Sequence, residues 1–289
     1  MSGTGPAARP DASPDAAVQS EDLPVCRTCG VQYAAPRADC PVCLDERQYV
    51  GWSGQQWTSL AQLRAAGHHG RIAAEGPGVV GVGTEPAFAI GQRALLIQSP
   101  GGNVLWDCIT YLGDDLQARI HDLGGVSAIA ISHPHYYGTM IEWSRAFDAP
   151  VYIHAADRQW VGRPDSAVRY WDGDRHELAP GITLVNAGVH FAGGTVLHWA
   201  EPSGGALFSG DILQVVMDRS FVSFMYSYPN LIPERPSVIR RALRLLEPLQ
   251  YDRVYGAWWG RVVAADGAAA VRRSAERYLR FAEAGGLDG

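Results

Sequence analysis

Two histidines, His133 and His135, follow directly on the apolar run Ala128 to Ile131. Such a run reads as a buried strand, and in α/β folds ligands and chemistry gather where strands end. Pro134 fixes its own φ and stiffens the turn between them, so both imidazoles can face one point, as a metal ion requires. A second set of reactive side chains lies upstream. Cys26 and Cys29 form one C-x-x-C knuckle, and Cys40 and Cys43 form another ten residues later. Paired knuckles at this spacing match a tetrahedral zinc site, and four thiolates leave no open position, so the ion is expected to be structural. A reducing cytoplasm disfavours two disulfides as the alternative. The fifth cysteine, Cys108, ends a strand and reads as a core residue.

The chain that must position these groups has 289 residues, 47% of them hydrophobic and 19% charged, with net charge -6. This suits one large soluble domain with an appendage. No apolar run of membrane-spanning length and no signal peptide is legible, so a cytoplasmic location without membrane partners is expected. Mild acidity without a Lys/Arg cluster argues against nucleic acid as a partner. Residues 1–22, rich in Ala, Pro, Asp and Ser, predict a disordered tail. Residues 23–50 hold the four cysteines. Residues 51–77 read as a connector, with Thr58 or Ser59 capping a short helix and with Trp52, Trp57 and the preceding Tyr49 as aromatic anchors.

The main domain is expected over 78–289. Strands are predicted at Val79–Val82, Ala87–Ile90, Ala94–Gln98, Asn103–Asp107, Val151–Ile153, Ile182–Val185, Thr195–Trp199, Ala206–Phe208 and Arg253–Tyr255. Helices are predicted from Asp114 or Asp115 to Leu123, from Tyr137 to Phe147, from Ala155, over Pro236–Leu246 and over Asp266–Glu283. Strand-rich runs followed by β-α alternation, occurring twice, predict an α/β fold with two sheets between outer helices.

The stretch His133-Pro134-His135-Tyr136-Tyr137-Gly138 resembles the His-x-His-x-Asp-His motif of the metallo-β-lactamase superfamily, with Tyr137 at the Asp position and Gly138 at the last His. Gly188–Thr195 is similar to the superfamily's glycine-rich histidine element, Leu207–Asp211 to its Ser/Thr-Gly-Asp strand end, and Asn103–Asp107 to its strand ending in a supporting Asp. The resemblance covers about residues 78–264. It implies an αββα sandwich with His133, His135, His190 and Asp211 as metal ligands and Asp107 behind them. His154 follows a strand at a position where many members carry a histidine without using it as a ligand, and it too is expected behind the site. With the cysteines included, the sequence resembles bacterial members of this superfamily that carry an N-terminal four-cysteine zinc ribbon.

The first-site ligands are retained, whereas Tyr137, Gly138 and Trp258 or Trp259 stand where second-site ligands belong. A single ion is therefore expected. Zinc, the first choice, would acidify a water for attack on a small-molecule ester, lactone, amide or thioester. Asp211 would act as ligand or orient the water, and Tyr137 could donate to a developing oxyanion. Iron(II) on the same His/His/Asp set is the second choice, as in the persulfide dioxygenases of the superfamily; a non-catalytic binding protein is the third. The long aromatic loop 217–233, with Phe221, Phe224, Tyr226 and Tyr228, is expected to wall a pocket with Trp258 and Trp259 for a substrate with an apolar or aromatic part. The same loop could instead pack on the ribbon or on the partner copy of a homodimer.

Overall fold

A computed structural model describes residues 20–283 of the chain. The expected tail over 1–19 lies outside them. Residues 20–22 depart from that expectation. Ser20 is buried and donates to Glu142 at 3.1 Å, while Glu21 pairs with Arg64 at 2.6 Å.

The cysteine module comes first. Strands β1 (Val25–Cys26) and β2 (Trp57–Thr58) pair antiparallel, and the single turn α1 (Pro41–Leu44) carries the last cysteine. Helix α2 (Leu60–Ala65) starts at Ser59, whose hydroxyl accepts from Gln62 N–H, an N-cap expected from the sequence. The module has no separate core. Its cysteines, Val31, Tyr33 and Val42 belong to the same apolar cluster as Leu105, Ile129, Tyr136 and Trp143 of the main domain.

The first large sheet runs β3 (His69–Gly76), β4 (Val79–Glu85), β5 (Ala94–Ile97), β6 (Val104–Trp106), β7 (Ala128–Ala130), β8 (Val151–His154) and β9 (Val168–Trp171). Its first four strands are antiparallel and its last four, counting β6 again, are parallel. The parallel part needs crossovers, which α3 (Asp114–Asp122) and α4 (Met140–Phe147) supply. The second sheet begins with β10 (Arg175–Ala179), β11 (Ile182–Asn186), β12 (Thr195–Trp199) and β13 (Ala206–Gly210). Two small hairpins follow in the chain: β14 (Gln214–Val215) with β15 (Val222–Ser223), and β16 (Met225–Ser227) with β17 (Ile232–Pro233). Beyond them, β18 (Arg253–Gly256) pairs parallel to β13, and β19 (Val262–Val263) completes the sheet.

Between the sheets lies a layer of Leu95, Ile97, Trp106, Leu184, Leu197, Phe208 and Tyr255. Helices α5 (Pro236–Leu246) and α6 (Gly267–Glu283) cover the outer face of the second sheet through Ile239, Ala242, Val271 and Ala275. Helices α3 and α4, with the cysteine module, cover the first. This is the expected αββα sandwich. Among the described residues no helix is long and apolar enough to cross a membrane.

Several boundaries move. The sheet begins at His69, inside the expected connector 51–77, because β3 is built from Gly, Ala and polar residues that give no apolar alternation. Residues Ala87–Ile90 form a turn closed by Gly91 N–H to Phe88 O, with Ala89 at φ +54, which no strand allows. Strands β9 and β10 escaped the sequence reading: β9 is a short segment at the end of its sheet, and β10 is polar and has no fully buried residue. Helix α4 starts at Met140 rather than Tyr137, since a 3-10 turn over Pro134–Tyr136 and Gly138 at φ +47 intervene. Gly113 occupies the N-cap of α3, with Asp114 and Asp115 in the first turn, where negative charge suits the helix dipole.

Phe208 is fully buried and stacks on Tyr255 at 4.9 Å in the inter-sheet layer. Phe208→Ala is expected to lower stability by about 3–5 kcal/mol, read as a fall in urea midpoint at unchanged m-value.

Candidate metal centre

The ends of neighbouring loops carry the histidines and the aspartate. β7 delivers Ser132, His133 and His135; the loop between β11 and β12 delivers His190; β13 delivers Asp211. A backbone bond from Thr195 N–H to Ser132 O at 2.9 Å ties the first two loops together. Gly210, at φ +53, lets β13 approach: a Cβ there would lie 2.7 Å from Ser132 Oγ and 3.1 Å from Asp107 Oδ2. His190 itself sits at φ +67, a conformation costing roughly 1–2 kcal/mol for an L-residue. Glu234, buried at 5% exposure, holds it there by accepting from His190 N–H at 2.9 Å.

One ligand atom from each of the four residues lies within 4.8 Å of the others, and all four residues are buried. His135 Nδ1 and His190 Nε2 are 3.3 Å apart, and His133 Nε2 and Asp211 Oδ2 are 3.7 Å apart. Nitrogen ligands at tetrahedral zinc stand about 3.3–3.4 Å apart, from a bond length near 2.05 Å. His133 Nε2 and Asp211 Oδ1 are buried without a hydrogen-bond partner, which is the condition a cation would relieve. The residues present fit one divalent ion.

The outer nitrogens orient the rings. His190 Nδ1–H donates to Tyr226 O at 2.8 Å, which leaves Nε2 as an acceptor facing the cluster. His133 Nδ1 is 2.8 Å from Ser132 Oγ, so its Nε2 faces inward too. Asp107 does not touch a histidine. It accepts Ser132 N–H at 2.8 Å and thereby holds the residue that orients His133. Burial pushes all three imidazoles down, His190 to about 4, so they are neutral at neutral pH, as ligands must be. Burial, joined by the charge of Asp107, raises Asp211 to about 8; a bound cation opposes that shift.

The four cysteines form the second cluster, buried in the module, with Cys26 Sγ 3.6 Å from Cys43 Sγ and Cys29 Sγ 3.6 Å from Cys40 Sγ. Tetrahedral zinc-thiolate geometry separates sulfurs by about 3.8 Å. Cys108 is buried away from them, as a core residue.

A cavity of about 130 Å³ opens onto the cluster, lined by His135, His190, Asp211, Ile90, Tyr228, Pro229, Trp258, Gln48 and Tyr49. Of the six aromatics expected to wall it, Tyr228 and Trp258 do so. Phe221 lies under Arg277, Phe224 packs on Tyr278, and Trp259 covers Gly81 and Gly83 beside Arg71. Tyr226 contributes its carbonyl to His190, while its ring packs on Arg47.

Tyr137 does not reach the cluster. Its ring is buried and its hydroxyl donates to Asp157 O at 3.2 Å, so it is not placed to stabilise an oxyanion. His154 does not contact the ligands either: Nδ1 accepts Ala156 N–H at 3.2 Å and Nε2 lies 3.1 Å from Gly173 O. As site residues, Ser132, Glu234, Gln48 and Tyr49 escaped the sequence reading, which placed Tyr49 only among the aromatic anchors. Adjacency to His133 was a signal for Ser132; the other three reach the site only through the packing of distant segments.

The family model described as "Metallo-beta-lactamase superfamily" matches residues 89–258. Uncharacterized protein YmaE of Bacillus subtilis (strain 168) is 47% identical over 262 residues, 89% of this chain and 95% of that one. Two solved structures share the fold: VMB-1, with TM-score 0.56 and 13% identity, and the DIM-1 metallo-beta-lactamase, with TM-score 0.54 and 15% identity. Each match covers 74% of this chain and 98% of the other.

Removing the hydroxyl that orients His133 should loosen the cluster selectively. Ser132→Ala is expected to weaken metal binding there by about 10–100-fold, with the four-cysteine site unaffected, measured by competition with a graded series of chelators.

Proposed function

The chain belongs to the metallo-beta-lactamase superfamily, and from that premise we propose that it is a hydrolase of a small ester, lactone, amide or thioester, working with one zinc ion. The observation that carries this reading is the set of inward-facing ligand atoms of His133, His135, His190 and Asp211, desolvated and partly unpartnered. Zinc held there would supply Lewis acidity, polarising a carbonyl and acidifying a water molecule.

The chain's own groups supply the rest. The Tyr226 carbonyl fixes the His190 tautomer, so no proton stands between that ring's Nε2 and the ion, and Ser132 Oγ holds the His133 ring through Nδ1. Asp211 brings the compensating negative charge. Ile90, Tyr228, Pro229 and Trp258 give the cavity apolar walls, which favour a substrate with an apolar part and exclude bulk water.

The positions that resemble second-site ligands are committed elsewhere, which supports a single ion. Tyr137 donates to Asp157 O, the Gly138 carbonyl accepts Gln32 N–H at 3.0 Å, and Trp258 Nε1 donates to Ile90 O at 3.1 Å. A Cβ at residue 138 would also meet Ile109 O at 2.8 Å, so a histidine there requires a different loop. The four-cysteine cluster, closed and buried, suits a second zinc with a structural role.

Elemental analysis of the purified protein is expected to give two zinc ions per chain. Cys26→Ser with Cys29→Ser should remove one, and His133→Ala with His190→Ala the other. The histidine variant should also lower hydrolysis across a chromogenic ester, lactone and thioester panel by at least about 100-fold. A His cluster that takes up no metal would overturn the hydrolase reading. Iron there, with oxygen-dependent turnover, would assign oxygenase chemistry instead.

A further inference from the structure

Part of the wall of the metal cleft is not made by the main domain. It is made by Gln48 and Tyr49, which follow the last cysteine of the module. Their placement is tightly determined. Asn230 Nδ2 donates to Glu46 O at 2.9 Å and to Gln48 O at 3.0 Å, and the Tyr226 hydroxyl donates to Glu46 Oε1 at 2.6 Å. Arg47 lies between the rings of Phe191 and Tyr226, 4.5 and 4.6 Å from their centroids, and pairs with Asp45 at 2.9 Å. Phe191 in turn packs against His133, His135 and His190. The segment is thus clamped to the loops that carry the ligands.

Gln48 stands out within it. Its backbone bonds are made, with its N–H donating to Asp45 O at 3.0 Å and its carbonyl taken by Asn230. Its side chain is different: the residue is only 4% exposed, yet Oε1 has no hydrogen-bond partner, and among the described residues none bonds its NH2 group. Leaving a buried carbonyl oxygen unpaired costs about 1–3 kcal/mol. A cavity-lining residue held in place by its backbone, with a buried and unpaired carboxamide oxygen, is organised to bind something at that cavity.

We propose that Gln48, carried by the four-cysteine module, is a substrate-contacting residue of the metal cleft, reading a polar N–H or O–H on a compact, otherwise apolar substrate. The assignment rests on the hydrolase reading and deepens it. The role of the module follows: docked through Gln32 N–H to Gly138 O and through Thr110 Oγ1 to Gly30 O at 2.9 Å, it brings a specificity residue to the cleft besides covering the first sheet.

The test uses full-length protein loaded with zinc and two neutral metal-binding probes, acetohydroxamic acid and its N-methyl analogue, which lacks the N–H. Binding is read by titration calorimetry on wild type and Gln48→Leu, with zinc content and melting temperature measured on both. Gln48→Leu is expected to keep its zinc and to bind acetohydroxamic acid about fivefold more weakly, while the N-methyl probe binds both chains equally. Equal affinity for the N–H probe would overturn the proposal, as would the same loss for both probes, which indicates lost packing. Loss of zinc in the variant would reassign Gln48 to scaffold. A wild-type protein whose His cluster holds no zinc would sink the hydrolase reading itself, and the proposal with it.

Discussion

The constraint on which the site depends is desolvation. Three imidazoles and a carboxylate are held out of water within a few ångströms of one another, and several of their polar atoms find no protein partner. Burying such groups unpaired is unfavourable, so the surrounding structure must impose it. The imposition is visible in the backbone: His190 in the left-handed region, Gly210 where a side chain would strike Ser132 and Asp107, and Glu234 bonded to the His190 N–H. Strain concentrated at one cluster, secured by the two-sheet core behind it, is how a fold keeps a site ready for an ion.

The cysteine module answers to the same site. It shares the main apolar cluster, its Gln32 bonds the backbone of Gly138, and its Glu46–Tyr49 segment is clamped onto the loop that carries the Tyr226 carbonyl. Residues that stand where second-site ligands would be expected instead pack within the main domain. Tyr137 bonds the Asp157 carbonyl, and Gly138 gives the close approach to Ile109 that a larger residue would block.

The sequence by itself marked the four cysteines and the pair His133 and His135, because short spacings such as C-x-x-C and His-x-His constrain local geometry whatever the rest of the chain does; His190 and Asp211 were legible through the family resemblance. It determined the αββα layering as well: α5 appeared at its observed bounds from apolar spacing alone, and β5, β7, β12 and β13 from apolar runs, since buried elements must show their burial in composition. Where strands are polar edges or glycine-rich, as in β3 and β10, that signal is absent. Only the tertiary structure decided which aromatics face the cleft, where the Tyr137 hydroxyl points, and that Gln48 and Tyr49 complete the wall. The physical reason is range. Those outcomes turn on contacts between separate segments, 182 residues apart for Asn230 and Gln48 and 20 for Tyr137 and Asp157, and on side-chain directions that neither residue type nor spacing encodes.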